Sequence, residues 1–95
     1  MIVEKLDKIL HSQIRLAIMS MLISIDSAQF NYLKEKTGAT PGNLSFQLKK
    51  LEKAKYIRVK KSFKNNYPLT TVRITSQGTK AFGDYVNTMK KYLNL

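Results

Sequence analysis

The sequence predicts an α+β fold that is mainly helical: a helix-turn-helix, a two-stranded β-hairpin, and helical extensions at both ends. Three observations predict it. Two helical stretches, Phe30 to Lys36 and a second opening at Thr40-Pro41, are separated only by a short break containing Gly38. Two alternating stretches, Tyr56 to Lys60 and Thr70 to Thr75, flank a turn-forming segment. Elsewhere the apolar residues recur three and four apart, the helical period. Ninety-five residues suit one domain, 1–95, with the helix-turn-helix at about 30–54, the hairpin at about 56–75 and a last helix at about 76–93.

Met1 to Leu10 places Ile2, Val3, Leu6, Ile9 and Leu10 at helical spacing, with Glu4, Lys5, Asp7 and Lys8 outside. A break is expected at His11-Ser12, where Ser12 can cap a second helix. Gln13 to Ser24 is apolar nearly all round, which predicts a buried helix with Arg15 at its rim. A very short strand can sit near Ile25, and Asp26 or Ser27 can cap the next helix. That helix has Phe30, Leu33 and Tyr32 as its inner side and stops at Thr37-Gly38, where glycine can take the left-handed conformation. Thr40 is a suitable cap for the helix after it. Pro41 suits the first helical position, because its missing N–H would be unpaired there in any case. Leu44, Leu48 and Leu51 then share one face; Asn43, Phe46, Gln47 and Lys50 fall off it. A second helix with a polar outer face is the kind that can enter a DNA major groove.

Tyr56 to Lys60 alternates as a half-buried strand does, with Phe63 continuing it. Lys64 to Leu69 reads as the turn, and Val72 and Ile74 share one face of the return strand. Thr75 or Ser76 caps the last helix, whose stripe is Ala81, Phe82, Tyr85, Val86, Met89, Tyr92 and Leu93.

Charge narrows the partners. Seventeen Lys and Arg face six Asp and Glu, a formal net charge of +11. Eight of the basic residues lie between Lys49 and Lys64, with Glu52 the one acid among them. So basic a small domain is expected to meet a polyanion, nucleic acid before an anionic membrane surface. No apolar run reaches the length of a membrane span, and the start of the chain lacks a signal-peptide pattern. The chain has no cysteine, which removes disulfides and thiolate metal sites and fits a cytoplasmic location. Six acids and one histidine, His11, leave few groups for acid–base or nucleophilic chemistry, so no enzyme, metal or cofactor is expected. His11 reads as a structural residue.

Three stretches carry a resemblance. Leu6 to Ile18 resembles the "H-x-x-R-L-x-I" opening of MarR- and ArsR-like regulators. Leu48 to Ile57 resembles their "L-x-x-L-x-x-x-G-x-I" junction, and Thr75-Ser76-Gln77-Gly78 resembles their "L-T-x-x-G" start of the last helix. Together they cover nearly the whole chain and imply a winged helix-turn-helix that binds DNA, the hairpin being its wing. There are departures. Lys55 stands where the junction usually has glycine, and Pro68 is followed by Leu69 where a basic residue is common. The metal ligands of ArsR-type sensors have no counterpart. MarR-like relatives often bind small molecules near a dimer interface, so an effector is conceivable, but no residue here names one.

The candidate site residues fall on these elements. Asn43, Phe46 and Gln47 are expected at base edges, the amides pairing with adenine and the ring meeting a thymine methyl. Thr40, Ser45, Lys49 and Lys50 are placed for phosphates. Two alternatives stay open: Phe46 as a core residue, and Asn43 as a first-turn residue making local hydrogen bonds. On the wing, Lys60, Lys61, Lys64, Asn65, Asn66 and Arg73 are expected at the DNA backbone or minor groove. Ile2, Leu6, Ile9, Phe82, Tyr85, Val86, Met89, Tyr92 and Leu93 are expected at a homodimer interface. The expected function is a sequence-specific regulator of transcription on double-stranded DNA. The alternatives are a protein-contact module and a non-specific nucleic-acid binder.

Overall fold

The structure is a computed structural model that describes residues 3–95. Its elements are α1 (Gln13–Ile25), β1 (Ser27–Gln29), α2 (Phe30–Thr37), α3 (Pro41–Lys53), β2 (Ile57–Lys64), β3 (Tyr67–Ile74) and α4 (Ser76–Leu93). The three strands form one antiparallel sheet in the order β1-β3-β2. Ile57 pairs with Ile74 and Val59 with Val72, while Ala28 of β1 meets Val72 from the other side. These side chains share one face of the sheet, because successive residues of a strand point to opposite faces. The core they enter contains Leu10, Ile18, Met19, Leu22, Leu33, Leu44, Leu48, Leu51 and Tyr85.

The helix-turn-helix forms as the sequence requires. Gly38 closes α2 at φ 71°, with its N–H donating to the Lys34 carbonyl at 3.0 Å. The Thr40 hydroxyl accepts from the Asn43 N–H at 3.2 Å and Pro41 opens α3. Leu44, Leu48 and Leu51 are all buried, so α3 is held by one leucine face. Truncating any one to alanine would cost about 2–5 kcal/mol.

At the end of α3, Lys55 adopts φ 67°. The Lys55 N–H donates to the Glu52 carbonyl at 2.9 Å and the Tyr56 N–H to the Leu51 carbonyl at 3.0 Å. This is a Schellman closure with lysine in the left-handed position where glycine is usual. The hairpin turns on Asn65 and Asn66, at φ 51° and 65°, between the pair Lys64 and Tyr67. Two left-handed residues in a two-residue loop match the twist of the flanking strands.

Several expectations need correction. Met1 to Leu10 is not a helix: within its described part, residues 3–7 carry no regular structure and Lys8 to Leu10 form a turn. The reason is Asp7, whose Oδ1 accepts from the Ile9 and Leu10 N–H groups at 2.8 and 3.2 Å and so builds a local turn in place of a helical one. Asp26 does not cap α2. It sits at the C-terminal end of α1 with φ 71° and donates its N–H to the Leu22 carbonyl. Gln29 precedes α2 without a side-chain cap. The short strand falls at Ser27–Gln29 in place of Ile25, and the turn shrinks to Asn65-Asn66 because β3 begins at Tyr67. Pro68 is accommodated near the free end of the hairpin, where strand pairing is ending.

Candidate nucleic-acid interface

Helix α3 lies with its leucines inward and its other faces open. Asn43, Ser45, Lys49 and Lys50 are exposed, and Phe46 is 55% exposed, which removes the core reading of Phe46. The Lys50 ammonium sits 4.8 Å from the centre of the Phe46 ring, close enough for a cation–π contact. Thr40 spends its oxygen on the helix cap.

Gln47 is tied in. Its Oε1 accepts from Arg15 Nη1 at 2.5 Å and its Nε2 donates to Asn43 Oδ1 at 3.1 Å. Arg15 is further fixed by Nε donating to the Ile9 carbonyl at 2.6 Å. Arg15 is therefore half-buried between α1 and α3, and not at a free rim. It is a site residue that sequence reasoning passed over. Its signal was present in the stretch from His11 to Leu16, but the partner is 32 positions away and no local pattern shows it.

The hairpin places its charges on two faces. Lys61 and Phe63 share the face of Ile57 and Val59. Arg58, Lys60 and Lys64, with Arg73 across from Arg58, lie on the other. Lys61 and Thr70 join Ser45, Leu48, Lys49 and Glu52 around a groove of about 270 Å³ between α3 and the sheet. Two lysines and two hydroxyls there could meet a phosphate backbone. Asn65 and Asn66 form the exposed tip, flanked by Phe63 and Tyr67 at 78% and 75% exposure. Arg73 is set apart from this group: its guanidinium pairs with the Asp26 carboxylate at the base of the sheet.

The residues expected at a dimer interface divide similarly. Ile2 lies outside the described residues. Tyr85 is 5% exposed, inside the chain's own core, and shares a 2.9 Å hydrogen bond with His11 Nδ1. It belongs to the fold, since a ring enclosed by its own chain offers no surface to a second one. Leu6, Ile9, Phe82 and Met89 pack partly against the same core. Val86 is half-buried, and Tyr92 and Leu93 are exposed near the end of α4. Among the described residues no cluster of His, Asp or Glu could hold a metal ion, and no helix is long and apolar enough to cross a membrane.

The N-terminal segment braces the site. Tyr56 donates its hydroxyl to Asp7 Oδ2, and its pKa is pushed up to about 12, first by burial, then by that hydrogen bond and the Asp7 charge. Tyr85 is raised too, by burial first and the Asp7 charge second. Farther out, Lys91 donates to Glu4 at 2.7 Å, and the Tyr92 hydroxyl donates to the Glu4 carbonyl.

A helix-turn-helix whose second helix is open on its polar side, followed by a basic antiparallel hairpin, defines a winged helix. The chain belongs to the winged helix DNA-binding domain family, whose model matches residues 14–93. It is similar to an uncharacterised protein of Methanocaldococcus jannaschii, 40% identical over 79 residues, which are 83% of this chain and 86% of that protein. Among solved structures it is similar to a transcriptional regulator homologue from Pyrococcus horikoshii OT3. The TM-score there is 0.85 at 28% identity, over 90% of this chain and 85% of the other. It also shares its fold with NadR, solved in complex with 4-hydroxyphenylacetate, at TM-score 0.73 and 18% identity, over 90% of this chain and 63% of NadR. The fold and family are those of winged-helix transcriptional regulators.

Proposed function

We propose that the protein is a sequence-specific, homodimeric regulator that reads double-stranded DNA with α3 in the major groove and its wing on the adjoining backbone. The observation that carries this reading is the surface formed by α3 and β2. Asn43, Phe46 and Lys50 stand open on the helix, and Lys49 and Lys61 line the groove beside it. Phosphates bound by Lys49, Lys61 and the Ser45 and Thr70 hydroxyls would fix the register; the open helix residues would meet base edges. The wing, with Lys60 along its first strand and Lys64, Asn65 and Asn66 at its tip, would reach the backbone or the minor groove.

The dimer would use the exposed end of α4, with Tyr92, Leu93 and Val86. A two-fold pair of this kind places the recognition helices roughly 34–36 Å apart, one DNA turn. For a small-molecule effector, the hollow of about 370 Å³ between the N-terminal segment and α4, lined in part by Asp7, Tyr56, Asp84 and Thr88, offers a place.

Selection of bound sequences from a random duplex pool by the purified protein tests the reading, with titration of the recovered duplex at two salt concentrations and sedimentation of the free protein alongside. An enriched motif is expected, bound by a species twice the chain mass with an affinity that weakens steeply with salt, because each neutralised phosphate contributes roughly 0.9 to the slope of log K against log salt. Binding that ignores salt, or none, contradicts it.

A further inference from the structure

We infer that Arg15 sets the hydrogen-bonding direction of the recognition helix, so that Asn43 turns a donor and not an acceptor toward the DNA. The inference rests on the DNA-reading role proposed for α3, and it specifies which bases that helix prefers.

Donor and acceptor chemistry decides the orientation. A guanidinium has only N–H donors and does not lose its charge in a protein. The end of the Gln47 amide that meets Arg15 Nη1 is therefore its oxygen, with no alternative orientation. The opposite end of the same amide is then the NH₂ group, and it faces Asn43 at 3.1 Å. Asn43 must meet that donor with Oδ1, which leaves its own Nδ2 pointing away from Gln47, on an exposed side chain. Arg15 cannot swing aside easily, since its Nε is held by the Ile9 carbonyl at 2.6 Å. One half-buried cation on α1 thus orients two amides in series on α3.

The consequence for recognition is specific. Pairing an amide with adenine uses its oxygen and nitrogen side by side on the base edge. Gln47 is engaged at both ends, and Gln47 takes one of the two acceptor positions of the Asn43 oxygen and turns that oxygen toward itself, so the Asn43 NH₂ group is the freer end of the pair. What α3 offers outward here is the Asn43 NH₂ group and, two turns further on, the Lys50 ammonium; both only donate. The base opposite Asn43 should carry acceptors in the major groove: guanine through N7 and O6, or thymine through O4. Cytosine, which presents a donor there, is the base it should reject.

The test is selection of bound sequences from a random duplex pool by the full chain and by Gln47→Glu. The introduced carboxylate accepts at both ends. It keeps Arg15 but forces Asn43 to donate inward and to turn Oδ1 outward. The wild-type chain should enrich guanine or thymine at one half-site position, and Gln47→Glu should shift that position to cytosine or adenine while the rest of the motif stays. The change in relative affinity between the two base classes should be on the order of tenfold. Arg15→Met is the second variant: with the cation gone both amides can flip, and that position should lose its preference without moving to a new one. Thermal unfolding of each variant separates a lost fold from a changed preference, which a purely structural Arg15 would not produce. An unchanged base at that position in Gln47→Glu, or adenine enriched there by the wild type, overturns the inference and leaves the DNA-reading role standing. A wild-type chain that binds no duplex overturns both.

Discussion

At Gly78 the last helix touches the body of the fold through a missing side chain. A Cβ there would collide with the Tyr56 carbonyl oxygen and stand 3.0 Å from Met19 Cε. The first is backbone and cannot yield, and the same carbonyl already accepts the Thr75 N–H at 3.0 Å. Gly78→Ala is therefore expected to lower stability by about 1–3 kcal/mol, as overpacking does, measured by urea unfolding. Next to Tyr56 in the chain, Lys55 holds a left-handed conformation that costs a side-chain-bearing residue roughly 1–2 kcal/mol. Lys55→Gly removes that strain but gives the unfolded chain more freedom, so a net gain of up to about 1 kcal/mol is expected, checked by the same unfolding curves. The departure at Lys55 was legible in the sequence because it breaks a local motif. The role of Gly78 was only half legible: its place after Thr75 marks a helix start, but nothing local announces the Tyr56 carbonyl above it.

At the scale of elements, the N-terminal segment replaces the expected first helix with a brace. Asp7 turns the chain, holds Tyr56, and leaves the Ile9 carbonyl facing Arg15. Because the folded state keeps the Tyr56 hydroxyl neutral, its pKa lies above the ordinary value of a free tyrosine. The stability from this contact is fully present below pH 10, the unfolded value, and is lost as the pH rises toward about 12. Unfolding curves taken across that window should fall for the wild type and fall less for Tyr56→Phe. Apolar spacing suggested a helix for this segment, and tertiary hydrogen bonds won over spacing; the partners lie 49 residues away and leave no periodic trace. Helix α3, by contrast, was legible almost to its ends, since Thr40, Pro41 and three leucines act locally. The wing was legible as an element but not in its facing. Only the folded structure shows that Lys61 turns to α3 and that Arg73 is paired with Asp26. Lys61→Ala is expected to weaken duplex binding and lower the salt slope by about 1, whereas Arg73→Ala leaves the slope unchanged, both read from titrations over a salt series.

For the molecule as a whole, the charge of +11 and the family membership fit one act, the binding of DNA, and the geometry says how it would be divided. The core leucines fix the angle of α3, the N-terminal brace fixes Arg15, and Arg15 orients the amides on the open face. The dimer is the part that the sequence suggested only through surplus apolar residues. Tyr85 turned out to serve the chain's own core, which leaves Tyr92 and Leu93 as the exposed part of the α4 stripe. Replacing Tyr92 and Leu93 together by charged residues should give a monomer that stays folded, with DNA affinity falling by an order of magnitude or more as the paired half-site is lost, measured by sedimentation and by titration.

Selection of bound sequences from a random duplex pool by the wild-type protein tests most directly whether it is a dimeric reader of sequence. A motif with two-fold symmetry is expected, its half-sites centred one helical turn apart. Enrichment of no motif, with binding that depends only on salt, would contradict that role and would mark the protein as a binder of the DNA backbone alone.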